Sequence, residues 1–215
     1  MYIVGVDPSI NSTGLYVMGL DEKTLDVDYY EHRGFTQVKK NESADIIYFK
    51  KKEFENNIEQ YNWMKEEIFN FIACADYVAI EGYSYNSTGK IFDMAEFIGC
   101  LKYHLYVSNI PIRIYEPAVV KMYATGNGNC DKIRMCDEYD KLKDGQTDLS
   151  HLPQYKNPKE DIVDAYYLCK LLRLELMLRK GLVTLDKLNE DEIKIFNRCT
   201  QKFPINLLAR SFING

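Results

Sequence analysis

The sequence is poor in the residues that staple small folds together. Its six cysteines, Cys74, Cys100, Cys130, Cys136, Cys169 and Cys199, include no Cys-x-x-Cys pair, and none of its three histidines stands at zinc spacing from a cysteine. That argues against a zinc-finger core and against a disulfide framework. The thiols read as free and reduced. No stretch approaches the ~18 apolar residues of a membrane span. The start, Met1-Tyr2-Ile3, has no basic region and reaches Asp7 too early for a secretory signal. The expectation is a cytoplasmic chain with no membrane partner. There is no internal repeat or low-complexity linker. Excess positive charge is missing too: 27 Lys and Arg face 32 Asp and Glu, for a net charge of −5. Nucleic-acid binders usually carry the opposite balance, although net charge does not forbid a local basic patch.

What is present suits one globular domain with an extension. The 215 residues are 46% hydrophobic and 27% charged, enough to bury a core. Tyrosine is abundant, with 17 copies, each offering apolar area and one polar tip. Tyr2 to Val6 predicts a buried strand, Thr13 to Met18 its hairpin partner, and Leu25 to Phe35 a third strand. A lysine-rich stretch follows, Val38 to Glu53, with Lys39, Lys40, Lys50, Lys51 and Lys52 around Ile46-Ile47-Tyr48-Phe49. Apolar recurrence from Phe54 to Phe71 predicts a helix. Asp76 to Ile80 predicts a strand that ends at Glu81. Ile91 to Val107 predicts a helix, Ile110 to Tyr115 a strand, and Pro117 to Tyr123 and Asp131 to Leu142 two more helices. Asn157-Pro158-Lys159-Glu160 has the form of a capped helix start, and Gly181 a natural stop. A last helix fits Glu190 to Cys199. A three-stranded antiparallel meander followed by alternating helices and strands predicts an α/β fold with a mixed sheet flanked by helices.

Four carboxylates stand out by position. Asp7 ends the first strand and Glu81 a later one. Asp161 and Asp164, in EDIVDAYYLC, share one face at the start of the last long helix. Each has a plainer reading. Asp7, before Pro8, could cap a turn or belong to a phosphate-binding loop; Glu81 could be a strand-end charge; Asp161 suits a helix N-terminus. If the helix crosses the ends of both strands, all four meet. Clustered carboxylates repel and would protonate, a conflict that divalent cations remove. Mg²⁺ prefers such oxygen ligands and shares its shell with phosphates. Two ions about 4 Å apart suit phosphodiester hydrolysis.

With these residues in place, the sequence resembles the RuvC family of Holliday-junction resolvases, within the RNase H-like nucleases. GVDPSINSTG is similar to the family's first motif, AIEGYSYN to its second and DIVDAYYL to its last. VKMYATGNGNCDK is similar to a segment bearing two lysines, here Lys121 and Lys132. The likeness runs over residues 1 to about 175. It implies an RNase H-like domain over residues 1–181, with 182–215 as its extension. It also implies a Mg²⁺-dependent endonuclease (Mn²⁺ substituting) that cleaves branched DNA as a homodimer. Asp7, Glu81, Asp161 and Asp164 would bind metal. Lys132 would sit by the scissile phosphate as a catalytic group, and Lys121 would hold DNA backbone. Ser9, Asn11 and Ser12 would be free to meet DNA. Ser84 stands where the family commonly has a stacking aromatic, so that role would fall to Tyr83 or Tyr85. The divergence resembles resolvase-like proteins of bacteriophages.

Other readings stay open. The lysine run at 50–52 fits a solvated helix start or a DNA-phosphate patch. An actin- or sugar-kinase-like ATPase also places an Asp before a Gly- and Thr-bearing turn, but no second phosphate loop is evident. A non-catalytic DNA-structure binder on the same fold would have no need of four acids.

Overall fold

A computed structural model describes residues 1–38, 43–83, 91–142, 147–154 and 156–202, the last four as helix backbone only. Six strands form one sheet in the order β4-β3-β2-β1-β5-β6. β1 (Tyr2–Asp7), β2 (Ser12–Leu20) and β3 (Val27–Thr36) make the antiparallel meander. β5 (Tyr77–Glu81) runs parallel to β1, and β6 (Ile112–Tyr115) parallel to β5. β4 (Ile46–Tyr48) adds a parallel edge to β3. This short edge strand was not foreseen. It lies in the apolar run between the lysines, where three residues give too little alternation to read.

The helices are α1 (Asn57–Ile72), α2 (Ile91–Val107), α3 (Pro117–Thr125), α4 (Lys132–Lys141), α5 (Lys159–Arg179) and α6 (Glu190–Lys202). Local chemistry sets several ends. The Asn56 side chain accepts from Glu59 N at the start of α1, and Asp131 accepts from Arg134 N at the start of α4; both satisfy donors that a helix start leaves open. Gly126 closes α3 at φ 73°, a conformation costly for other residues. The start of α5 departs from the expected capping box. Pro158 occupies the cap position after a cis Asn157–Pro158 bond, with no side-chain cap. The first turn is held from elsewhere: buried Lys159 places its Nζ 3.0 Å from both Asp140 oxygens of α4.

Strand alternation sorts the core. Val4, Val6, Leu15, Val17, Val78 and Ile80 face one layer with α1 and α2. Ile3, Tyr16, Met18 and Ala79 face the other, with α3, α4, α5 and α6. Both faces of β1 and β2 are covered, which explains why these strands read as unbroken apolar runs. α5 is buried on nearly every side, among them Ile162, Val163, Ala165 and Leu168. Ile195 and Phe196 of α6 join the same layer, and Arg198 Nε donates to Glu116 Oε2 at 2.8 Å. A buried network ties β6 to α5: Arg113 Nε and Tyr115 Oη each donate to Glu175 Oε2 at 2.7 Å. All five described cysteines are free; Cys130, Cys136 and Cys169 are buried, Cys74 and Cys100 exposed. Among the described residues no helix is long and apolar enough to cross a membrane.

Candidate active site

The period of two along each strand decides where the acids point. Ile3 and Ala79 face α5, so Asp7 and Glu81, an even number of residues further on, face it as well. Val6 pairs with Ile80, so the two carboxylates leave adjacent parallel strands at the same end of the sheet. α5 lies over this face at unusually short range. A Cβ on Gly5 would overlap the Ala165 carbonyl oxygen, and one on Gly14 the Asp161 carbonyl. Gly14 is also the cross-strand partner of Asp7. The glycine of the Thr-Gly pair is therefore what lets the first turns of α5 bring Asp161 and Asp164 down onto Asp7.

Lys132, the first residue of α4, completes the cluster. Its Nζ lies 2.9 Å from Asp161 Oδ1, 3.0 Å from Asp164 Oδ2 and 3.6 Å from Asp7 Oδ2. Ser12 donates its hydroxyl to Asp161 Oδ2. Asp7, Asp161 and Asp164 are buried, at 6%, 3% and 3% exposure, so they are poorly solvated and depend on these partners.

One ammonium does not balance four carboxylates. Burial, then repulsion from Glu81, Asp164 and Asp161, holds the Asp7 carboxyl well above the usual range, against the pull of Lys132. Glu81 is pushed up to about 7, by burial first and the Asp164 charge second; Lys132, a hydrogen bond with Asp7 and Lys121 act the other way. Burial also raises Asp164, opposed by Lys132. Burial would lower Lys132, but Asp7, Asp164 and Asp161 outweigh it and hold the ammonium above its ordinary range. Asp164 Oδ1 is buried with no hydrogen-bond partner. An all-oxygen donor set, surplus negative charge and an orphaned carboxylate oxygen fit a hard divalent cation such as Mg²⁺. No three of the four acids bring oxygens within 4.8 Å of one another. The Lys132 ammonium stands between the aspartates, so a cation entering there requires that side chain to swing aside.

The remaining sequence candidates fall in different places. Ser9 is half-buried and closes the turn: its N–H donates to Thr13 Oγ1 at 3.1 Å, and its carbonyl accepts from the same hydroxyl at 2.8 Å. Asn11 is exposed at the turn's tip, with Oδ1 accepting from Gln37 Nε2 at 3.2 Å. Ser12, expected at the surface, is interior and holds Asp161. Tyr83 is half-buried; its hydroxyl reaches Ala95 O at 3.5 Å, and Lys102 Nζ lies 4.7 Å from its ring centroid. Tyr85 lies outside the described residues. Lys121, on α3, is close enough for its charge to stabilise the Glu81 and Asp164 carboxylates. Sequence reasoning missed the Lys159–Asp140 clasp that fixes α4, and with it Lys132, against α5. No local signal marks it, because Lys159 stands between Pro158 and the acids Glu160 and Asp161 in what reads as an ordinary polar helix start.

No protein-family model and no curated protein matches the chain. Solved structures do. The Thermus thermophilus RuvC structure aligns with a TM-score of 0.54 at 17% identity, covering 84% of this chain and 97% of that one. The same protein in complex with Holliday junction substrate gives 0.52 at 14% identity, with the same coverage of 84% and 97%. A fowlpox virus resolvase bound to substrate Holliday junction DNA gives 0.50 at 17% identity, covering 82% and 99%. At these identities the likeness is one of architecture: the chain has the mixed-sheet, RNase H-like fold of the RuvC structure.

Proposed function

We propose that this protein is a divalent-metal-dependent endonuclease that hydrolyses phosphodiester bonds in branched DNA, four-way junctions foremost. One observation carries the reading. Carboxylates from β1, β5 and α5 converge with a lysine at the carboxyl end of a parallel strand pair, with more negative charge than that lysine offsets. An actin-like ATPase shares the strand-end acid but has no use for the Asp161–Asp164 pair. Solved complexes of the same architecture with junction DNA support the substrate class.

Asp7, Glu81, Asp161 and Asp164 would hold the metal, two Mg²⁺ ions with Mn²⁺ as a substitute. When bound, the metal supplies Lewis-acid activation of water and charge compensation at the phosphate. Ser12 and the close α5 contact at Gly14 fix Asp161 so that its carboxylate does not reorganise. Lys132, displaced from the acids, keeps its proton and stabilises charge developing on the phosphate oxygens. Lys121 and the exposed tip at Asn11 lie where DNA backbone would run, and Tyr83 or Tyr85 would stack on a base.

Topology extends this footprint. β4 is parallel to β3, which runs in the same direction as β1 and β5, so all four finish at the same end of the sheet, and the exposed Lys50, Lys51 and Lys52 follow β4 at that acid-bearing end. β4 lies three strand spacings from β1, which at ~4.8 Å each is roughly 14 Å across the sheet from Asp7. Such local lysines would supply backbone affinity despite the net charge. A homodimer suits a two-fold junction. Its face would be α2, where Phe92 and Tyr103 share an exposed stripe at 80% and 69% exposure.

The test is cleavage of four-way junctions, forks, flaps, linear duplex and RNA–DNA hybrid, each with Mg²⁺ or chelator. Metal-dependent nicking of branched substrates above linear duplex supports the reading. ATP turnover without cleavage overturns it.

A further inference from the structure

The acid cluster is all oxygen, but a second constellation on the same face of the sheet offers nitrogen. His32 lies on β3 opposite Tyr16 of β2. Asp45 sits just before β4, and His151 in the segment that leads into α5. Among the described residues, this trio is the group of His, Cys, Asp or Glu whose ligand atoms all fall within 4.8 Å of one another. The four active-site acids do not meet that condition.

His32 is what makes the trio more than a coincidence of surface groups. Its side chain is 7% exposed, and its Nε2 is buried with no hydrogen-bond partner. The nearest carboxylate oxygen, Asp45 Oδ2, is 3.8 Å away, too far for a hydrogen bond and close to the spacing of two ligands on one ion. Buried imidazole nitrogens are ordinarily satisfied. Asp45 is fixed in turn: its carbonyl accepts from Gly34 N at 2.8 Å, and Ser43 Oγ reaches its Oδ2 at 3.5 Å. The His151 ring stands with its centroid 6.2 Å from that of His32.

We propose that His32, Asp45 and His151 form a binding site for a borderline transition-metal ion, Zn²⁺ foremost, chemically distinct from the hard-cation site at the acids. Two imidazoles and one carboxylate, with water as fourth ligand, are a recognised zinc set. Tetrahedral Zn–N and Zn–O bonds of ~2.0–2.1 Å hold ligand atoms roughly 3.3 Å apart. His32 and Asp45 are nearly there, and exposed His151 closes the remainder by a side-chain rotation. The ion would staple two irregular segments, the approaches to β4 and to α5, onto β3. It would thereby steady the entry to the helix that carries Asp161 and Asp164. No cysteine takes part, which is why cysteine-based spacing in the sequence gives no hint of it.

The experiment is calorimetric titration of the metal-stripped full chain with Zn²⁺ alone, repeated with excess Mg²⁺, and with Co²⁺ as a spectroscopic probe. The expected result is one site of micromolar affinity or tighter that Mg²⁺ does not displace. Co²⁺ should give the intense visible absorption of a low-coordinate nitrogen–oxygen site, and Zn²⁺ should raise the melting temperature. His151→Gln, on an exposed residue that the core does not need, should weaken binding at least tenfold and remove the thermal shift; Asp7→Asn should leave both intact. Absence of saturable Zn²⁺ binding overturns the proposal. So does binding that His151→Gln leaves unchanged, or that Asp7→Asn abolishes, since the ion would then lie elsewhere.

Discussion

Lys132 does two opposed jobs. Without metal its ammonium is the counter-charge that lets Asp7, Asp161 and Asp164 sit together in a buried place. In the proposed mechanism, with metal and DNA bound, it would become a donor aimed at phosphate. Lys132→Gln should therefore lower junction cleavage by about 10²–10³-fold, the usual cost of losing one preorganised donor, measured as single-turnover rate at saturating Mg²⁺. Glu81 makes a second prediction at this scale. Its pKa rises from 4.5 in the unfolded reference to about 7 in the fold, and Asp7 and Asp164 shift the same way. The folded chain then binds more protons than the unfolded chain, so metal-free stability falls as pH rises through this window. Thermal melts of the metal-free protein should show a decline between pH 4.5 and 7 that Glu81→Gln flattens. Mg²⁺ should offset the decline at the upper end.

At the scale of elements, the site exists because α5 approaches β1 and β2 without intervening side chains. Gly14→Ala puts a methyl group into the Asp161 carbonyl. We expect it to cost about 1–3 kcal/mol or more, as overpacking does, read from urea midpoints, with cleavage lost beyond what stability explains. The far end of α5 depends on charge. Glu175 is fully buried against Arg113, Tyr115 and Arg179. Glu175→Ala removes the carboxylate from a buried guanidinium and should destabilise by about 3–5 kcal/mol, measured the same way. The strands and most helices were legible because their apolar spacing is regular; Ile91–Val107 runs over the expected residues, and β5 ends at Glu81 as foreseen. Asp7 and Glu81 were legible because an acid closing an apolar run is conspicuous. Ser12 was not, because nothing local distinguishes a serine on DNA from one that holds an aspartate 149 positions away. The start of α5 misled for a similar reason: its capping signature is real in the sequence, but the helix begins past it at Lys159, whose side chain is drawn to Asp140 of α4.

For the whole molecule, sheet order does the assembling. Residues 7, 81, 161 and 164 are distant in sequence, and meet because β5 inserts beside β1 and α5 returns across both. The same topology sets Lys50, Lys51 and Lys52 on one flank of that end and Lys121, on the helix that follows β6, toward the other, with Lys132 among the acids. An acidic chain can thus present a cationic rim around an anionic, metal-seeking centre. The histidine trio lies on the same face, where Asp45 and His151 in two irregular connections meet His32 of β3, a meeting that no sequence spacing reveals. The claim on which the rest depends is that the four acids are a metal-dependent hydrolytic centre. Its most direct test is Asp7→Asn on a synthetic four-way junction in Mg²⁺, with cleavage and binding measured on the same preparation. The account predicts that cleavage falls by at least about 10³-fold, the order of a lost preorganised group, while junction affinity stays within a few-fold of the unmodified protein. Cleavage at the unmodified rate would contradict it.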